Sequence, residues 1–151
     1  MSTRSCVVIE GRSAGHLDLY RHFDGYPAEA GASLLVALKE TDSPELVAAR
    51  LLVEARDIDD PRPQYEITDA EQHGDLEHVY VVRRINVPPA WSIEHYARGR
   101  GNWEQDDWRQ WTKQTYTAEG FAELVNQERR EANARIIARG LDSEPYPMVS
   151  A

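Results

Sequence analysis

The chain has 151 residues, of which 17 are basic and 26 are acidic, and its net charge is −9. Hydrophobic residues make up 41% and charged residues 28%, proportions typical of an ordinary globular domain. Four tryptophans, seven tyrosines and the lack of a dominant repeat exclude collagen-like, coiled-coil and intrinsically disordered classes. We therefore expect a single globular domain over residues 1–151, with a short flexible C-terminal tail from about 141.

The N-terminal segment and the single cysteine predict a cytoplasmic protein. The apolar run before Glu10, Cys6–Ile9, has only four residues, which is too short for the hydrophobic region of a signal peptide. No run of about 18 apolar residues is present, so we expect no membrane span. Cys6 cannot form an internal disulfide, and no cysteine or histidine spacing matches a zinc site. We expect neither a bound metal nor a cofactor.

The chain opens with a predicted β-hairpin. Ser5–Glu10 is a short β-branched run, and His16–Phe23 alternates between polar and apolar side chains. A glycine-containing loop between the two segments favours an antiparallel hairpin. Asp24 and Gly25 then end the second strand.

Two helices and a second hairpin follow in the prediction. The first helix runs from about Ala28 to Glu40, and Gly31 within it indicates close packing. Ser43 can cap a second helix that ends near Ala55. Gln64–Asp69 and His78–Asn86 are predicted to be the strands of the second hairpin.

The remaining segments complete the predicted α+β fold. Trp91–Arg98 is ambiguous, although Trp91, Ile93 and His95 would share one face if it is a strand. Thr117 begins a final helix that Gly140 ends. This order of elements predicts an α+β fold, in which an antiparallel sheet of four or five strands has helices packed on one face.

Polar side chains line one face of the second predicted strand. Alternation places His16, Asp18, Tyr20 and His22 together, away from the apolar Leu17 and Leu19. Histidines with a carboxylate can bind zinc or iron, or can transfer protons. His16 and His22 would lie about 20 Å apart on an extended strand, so they cannot share one metal unless the strand bends. The alternative is an ordinary polar outer face.

A tight turn into the first helix offers a second candidate site. Tyr20, His22 and Asp24 lie close together in the sequence, and backbone N–H groups near Ala28 can receive an anion. Capping of the helix by Asp24 is the simpler interpretation.

Most of the net charge lies in one segment. Residues 57–77 hold eight acids and one base, Arg62, which leaves −2 for the rest of the chain. Such a surface repels nucleic-acid phosphates and favours a basic partner, although a solvated face that aids solubility is the more common explanation. The candidate partner-binding acids are Asp57, Asp59, Asp60, Glu66, Asp69, Glu71, Asp75 and Glu77.

Tryptophans and arginines are interleaved in the region that precedes the final helix. Trp103, Trp108 and Trp111 are the residues that we expect to anchor a partner. Three alternatives remain open for these side chains. They can form a small satellite core, stack on nucleotide bases, or pack between the subunits of a homo-oligomer.

The sequence carries none of the common catalytic or nucleotide-binding motifs. A phosphate-binding loop, a dinucleotide fingerprint, a zinc-protease helix and a hydrolase nucleophile elbow are all missing. Asp57–Asp60 lacks the glycine and terminal glutamate of a calcium loop. We therefore expect binding rather than catalysis.

One stretch resembles a group of small phage and prophage proteins. Its residues are Tyr20-Arg21-His22-Phe23-Asp24-Gly25-Tyr26-Pro27, followed by Gly31, Leu34 and Leu35. Residues 75–81 look like a later strand of that group, and the likeness covers roughly the first forty residues and this short piece. The resemblance implies an accessory protein of a mobile element, located in the host cytoplasm.

These features are compatible with two functions. The first is an accessory protein that inhibits a host defence complex, as anti-CRISPR proteins do, through its acidic surface. Its partner would be a host protein or protein–nucleic-acid complex with a basic surface, without direct nucleic-acid or membrane binding. The alternative is a small enzyme or nucleotide-binding protein that uses Tyr20, His22 and Asp24.

Overall fold

The first hairpin forms as the sequence predicts. The computed structural model describes residues 3–13, 15–101 and 104–151. Strand β1 (Ser5–Glu10) pairs antiparallel with β2 (His16–Arg21), and Val7 lies opposite Leu19. The strand ends at Arg21, and Asp24 adopts a left-handed conformation with φ 53° in the turn that follows.

Three α-helices begin and end near the predicted residues. A π-helical turn over Pro27–Gly31 leads into α1 (Ala32–Lys39), and α2 covers Pro44–Leu52. Ser43 caps α2 by accepting a hydrogen bond from the Leu46 N–H at 3.4 Å, as its position predicts. Thr117 caps α3 (Ala118–Ala138) in the same way, and Gly140 follows the helix with φ 60°.

The other strands are short at the sheet edge and long at its centre. Two 3₁₀ turns, Ala70–Gln72 and Trp108–Gln110, interrupt the loops between them. The strands are β3 (Ala55–Asp57), β4 (Asp60–Pro63), β5 (Tyr65–Thr68), β6 (His78–Asn86), β7 (Pro89–Ala97) and β8 (Thr112–Thr117).

The fold is α+β, but the predicted sheet is wrong in size and direction. Six strands form one sheet in the order β5-β2-β1-β6-β7-β8, and β3 and β4 form a separate two-stranded ribbon. Strands β1 and β6 are parallel, and the other neighbours in the large sheet are antiparallel. The sheet is therefore mixed rather than an antiparallel sheet of four or five strands.

The predicted hairpin of β5 with β6 is also wrong. Strand β5 pairs with β2, whereas β6 lies between β1 and β7. Val79–Val82 is a continuous buried run, which requires cover on both faces of the sheet and is typical of a central strand. Strand β5 exposes Glu66 and Ile67, which suits an edge position.

Alternation along the strands builds a separate core on each face of the sheet. Helices α1, α2 and α3 contribute buried side chains to one cluster, together with Val7, Leu19 and Tyr80. Among the described residues, no α-helix contributes to the cluster on the opposite face. The residues of this second cluster are Cys6, Val8, Tyr20, Ala70, Leu76, Val79, Val81, Tyr96, Trp108 and Trp111.

Within the described residues, loops rather than α-helices cover the second face. The C-terminal tail, from residue 141 onward, lies against α3. Asn126 and Asn133 exchange hydrogen bonds with the backbone of Val149 and Tyr146, and Arg129 donates to the Pro147 carbonyl at 2.6 Å. The predicted tail from 141 thus has no helix or strand but is bonded to the last helix.

Close packing between the π-helical turn and α3 requires a glycine at position 31. Gly31 has helical dihedral angles, so its backbone conformation does not demand glycine. A Cβ atom there would lie 2.8 Å from Val125 Cγ2 and 3.1 Å from Phe121 Cζ. Space at the helix crossing, as the sequence indicates, is therefore the reason for this residue.

We expect Gly31→Ala to destabilise the fold by about 1–3 kcal/mol, because overpacking outweighs the gain of about 1 kcal/mol in helix propensity. Chemical denaturation measures the change. The control is Ala134→Gly at an exposed position of α3, which measures the propensity difference between the two residues without a change in packing. A stabilisation by Gly31→Ala as large as the loss in Ala134→Gly would contradict this packing.

Candidate functional site

The sheet register places polar side chains in rows across the second face. His16 lies directly opposite Glu10, and Glu10 bonds Arg83 on the next strand at 2.5 Å. In the next row, Asp18 lies opposite Val8, Val8 opposite Val81, and Val81 opposite Glu94. The third row consists of Tyr20, Cys6, Val79 and Tyr96.

A cleft of about 580 Å³ opens over the first two rows. Its floor is the sheet, and its rim comes from the two 3₁₀ turns. It combines five carboxylates, two guanidinium groups and one imidazole with apolar and aromatic walls. The lining residues are Val8, Glu10, His16, Leu17, Asp18, Thr68, Asp69, Ala70, Glu71, Val81, Arg83, Glu94, Tyr96, Trp108 and Arg109.

His16 and Asp18 form a dyad at one end of the cleft. The imidazole Nδ1 lies 2.7 Å from Asp18 Oδ1, and Asp18 Oδ2 accepts the backbone N–H of Ala70 at 2.9 Å. Asp18 is 6% exposed, so both of its oxygens are fixed. A carboxylate at Nδ1 favours the tautomer whose Nε2 is free to accept a proton. This arrangement can orient a polar ligand or move a proton.

Arg83 joins two carboxylates across the floor. Its Nε donates to Glu10 at 2.5 Å, and its Nη1 donates to Glu94 at 2.7 Å. Tyr96 also donates to Glu94, at 3.0 Å. Burial raises the pKa of Glu94, but the hydrogen bonds from Arg83 and Tyr96 outweigh it and hold the pKa below its ordinary value.

The rim of the cleft is closed by an ion pair. Arg109 Nη2 lies 2.6 Å from Glu71 Oε1, and this pair connects the two 3₁₀ turns. The same guanidinium stands 4.7 Å from the ring centroid of Trp108. Trp108 in turn packs edge-on against Tyr96 at 4.9 Å.

The structure brings Tyr20 and His22 into contact but leaves Asp24 apart from them. Tyr20 is buried and donates its hydroxyl to Asp75 Oδ2 at 3.0 Å; burial and then this hydrogen bond raise its pKa to about 12. His22 Nε2 lies 3.1 Å from Glu66 Oε1, and its ring meets Tyr20 edge-on at 4.7 Å. Asp24 is exposed in the turn beyond the strand.

The eight acids of segment 57–77 are distributed around the molecule. Asp57, Asp59 and Asp60 lie on the β3–β4 ribbon, and Asp69 and Glu71 line the cleft. Glu66 lies on β5, whereas Asp75 and Glu77 precede β6. Four of these carboxylates have basic partners: Asp60 with Arg62, Glu66 with His22, Glu71 with Arg109, and Asp75 with Arg4.

Two of the three predicted anchor tryptophans pack on the sheet. Trp108 and Trp111 are buried in the second cluster, and the Trp111 indole donates to the Gln105 carbonyl at 2.9 Å. Trp103 lies outside the described residues. Across the described part of the chain, no group of three or more potential ligands is arranged to hold a metal.

Sequence reasoning missed most of the cleft. Glu10, Arg83 and Glu94 come from three different strands, and only the register reveals that they meet. The usable signal was Glu94, since it shares a strand face with Tyr96 on a strand whose centre is buried.

The chain matches no protein-family model, and no curated protein or solved structure is similar to it. The resemblance to phage and prophage proteins therefore stays a prediction. None of the helices in the described ranges has the length and apolar character needed to cross a membrane.

A histidine pair lies on the opposite, helix-covered face. His78 Nδ1 and His95 Nε2 are 2.9 Å apart, and both rings stack on Tyr80. Burial lowers the pKa of His78, aided by the neighbouring His95, and burial alone lowers the pKa of His95 to about 4.

This pair predicts a loss of stability in mild acid. Below about pH 6.5 these two histidines bind protons in the unfolded chain but stay neutral in the folded chain. The free energy of unfolding therefore falls as the pH drops from about 7 to about 5. We expect His95→Gln to reduce that fall by about 1 kcal/mol. Urea titrations at the two pH values measure it, and parallel losses in both proteins would contradict the assignment.

The two buried tryptophans offer a matched comparison. The indole N–H of Trp108 has no acceptor among the described residues, unlike that of Trp111. We expect Trp111→Phe to cost about 1 kcal/mol more than Trp108→Phe, because only the former removes a hydrogen bond. Thermal and urea denaturation of both variants test this, and the reverse order would count against the assignment.

Proposed function

We propose that this chain is a binding protein that docks onto a basic partner through the tip of its β3–β4 ribbon. The observation that carries the proposal is the exposure of Ile58, which is 95% accessible and lies between two aspartates. Burial of such an exposed apolar side chain beneath another surface lowers the free energy, which favours binding of a partner at this position.

The ribbon tip combines an apolar anchor with unpaired negative charge. Asp57 lies opposite Asp60, and Ile58 and Asp59 form the turn between them. Asp57 and Asp59 are exposed, and neither forms an ion pair with a described residue. A hydrogen bond from Arg62 lowers the pKa of Asp60 to about 2, so this carboxylate is also ionised at neutral pH.

The charge of the whole chain supports the same partner chemistry. A net charge of −9 attracts basic surfaces and repels phosphates, which accelerates encounter with a basic protein. The exposed Val53 precedes the ribbon and adds apolar surface next to it. A partner with a small apolar pocket surrounded by lysine and arginine fits this tip.

The proposal extends to the setting that the sequence resemblance implies. An accessory protein from a phage or prophage would meet this partner in the host cytoplasm, where complexes that handle nucleic acids carry basic grooves. Inhibition of such a defence complex, as in anti-CRISPR proteins, is the specific role that we propose. Trp108 and Trp111 would then hold the cleft rim rather than contact the partner.

Charge reversal at the tip tests the proposal. We expect Asp57→Lys/Asp59→Lys/Asp60→Lys to lower affinity for the partner at least about tenfold and to flatten its salt dependence. Tagged protein is used to capture partners from bacterial host lysate at two salt concentrations, and affinity is then measured on the purified partner.

The matched control reverses three exposed acids on α3, by Glu119→Lys/Glu123→Lys/Glu131→Lys, and changes the net charge equally. The control should keep most of the affinity. Equal losses in both triple variants would show that only net charge matters, and unchanged affinity in the ribbon variant would refute the proposed surface.

A further inference from the structure

We propose that the rim of the cleft is a guanidinium-binding site, which Arg109 occupies in the free protein and which an arginine side chain of another molecule can take over. This inference goes beyond the ribbon and does not depend on it. Its ligand class is a guanidinium compound, whether an arginine in a peptide or a small free guanidine.

The contacts of Arg109 define the site. Its guanidinium stands over the ring of Trp108 and bonds Glu71 at 2.6 Å, and Asp107 lies 3.6 Å away. An aromatic face with carboxylates at its edge is the environment that binds a guanidinium group best, because it supplies a cation–π contact and planar hydrogen bonding together.

Arg109 is a replaceable occupant of this site. The side chains of Arg109 and Glu71 are 53% and 63% exposed, so their ion pair is worth little in water. Trp108 beneath it is more than nine-tenths buried. An external guanidinium can displace Arg109 at small cost, since Arg109 then moves into solvent.

The electrostatic balance of the cleft favours an added cation. Five lining carboxylates face two guanidinium groups, so three negative charges remain unbalanced when His16 is neutral. Lys113, whose Nζ is 3.9 Å from Glu94 Oε1, offsets one of them. An anionic ligand would be repelled from this cleft, and a neutral one would gain nothing from its field.

The wall of the site also contains an unsatisfied donor. Trp108 Nε1 has no hydrogen-bond acceptor within the described ranges. The nitrogen itself is buried, so a ligand at the exposed rim does not reach it in this conformation. The indole ring nevertheless lies directly beneath the guanidinium of Arg109, so its N–H signal reports on a change of occupant at the rim.

The test follows the Trp108 indole signal in a ¹H–¹⁵N correlation spectrum, assigned with Trp108→Phe. Wild-type protein is titrated with Nα-acetyl-arginine amide, agmatine and Nα-acetyl-citrulline amide, which is the neutral analogue of the first. We expect saturable shifts with the two guanidinium compounds and none with citrulline. Tighter binding of blocked arginine than of agmatine identifies a peptide ligand; the reverse order identifies a small guanidine.

Two variants separate the site from general electrostatics. Arg109→Ala removes the internal occupant, and we expect it to tighten arginine binding about threefold to tenfold. Arg130→Ala on α3 removes the same charge elsewhere and should leave affinity unchanged. A third variant, Glu71→Gln, should weaken binding severalfold because it removes a carboxylate from the site.

Three results would overturn the inference. These are an indole signal that does not move with arginine, equal shifts with citrulline, and no tightening in Arg109→Ala. Arg109→Ala, Arg130→Ala and Glu71→Gln each change an exposed side chain, and an otherwise unchanged spectrum shows that each variant is folded. None of these titrations involves the ribbon or its partner, so they can fail while the proposed function stands, and the reverse also holds.

Discussion

The pairing of β1 on both of its edges is the constraint on which the rest of the structure depends. Val7 lies opposite Leu19 on one side and opposite Tyr80 on the other, so the side-chain alternation of three strands is in phase. A slip of one residue would send every side chain to the other face. The same register that gives the helices an apolar surface therefore brings His16, Glu10 and Arg83 together on the second face.

The second face tolerates its two buried carboxylates, Asp18 and Glu94, because each has hydrogen-bond partners. Asp18 is fixed by His16 and the Ala70 backbone, and Glu94 by Arg83 and Tyr96. Burial of an unpaired charge lowers the stability of the fold. Truncation of one partner would therefore destabilise the protein, because the other partner would stay buried without a hydrogen bond. The cleft is thus a preorganised polar surface whose rim ion pair is exposed on both partners, and we propose the rim as the place where a ligand enters.

Local signals in the sequence predicted much of the fold. The hairpin of β1 and β2, the Ser43 cap, the Thr117 cap and the packing role of Gly31 are confirmed, because each is determined by residues close in the chain or by one strong propensity. The parallel pairing of β1 with β6 was missed, since no local pattern encodes which distant strand lies alongside. The cleft was missed for the same reason, although its polar row on β2 was recognised.

Interstrand nuclear Overhauser effects across β1 test this account most directly. We expect backbone cross-peaks that pair Val7 with Leu19 in an antiparallel pattern and with Tyr80 in a parallel one. Those pairs would establish the register that builds both faces of the sheet. Cross-peaks that instead pair β6 with β5 as a hairpin would contradict the account, because they would remove Arg83 from its place beside Glu10.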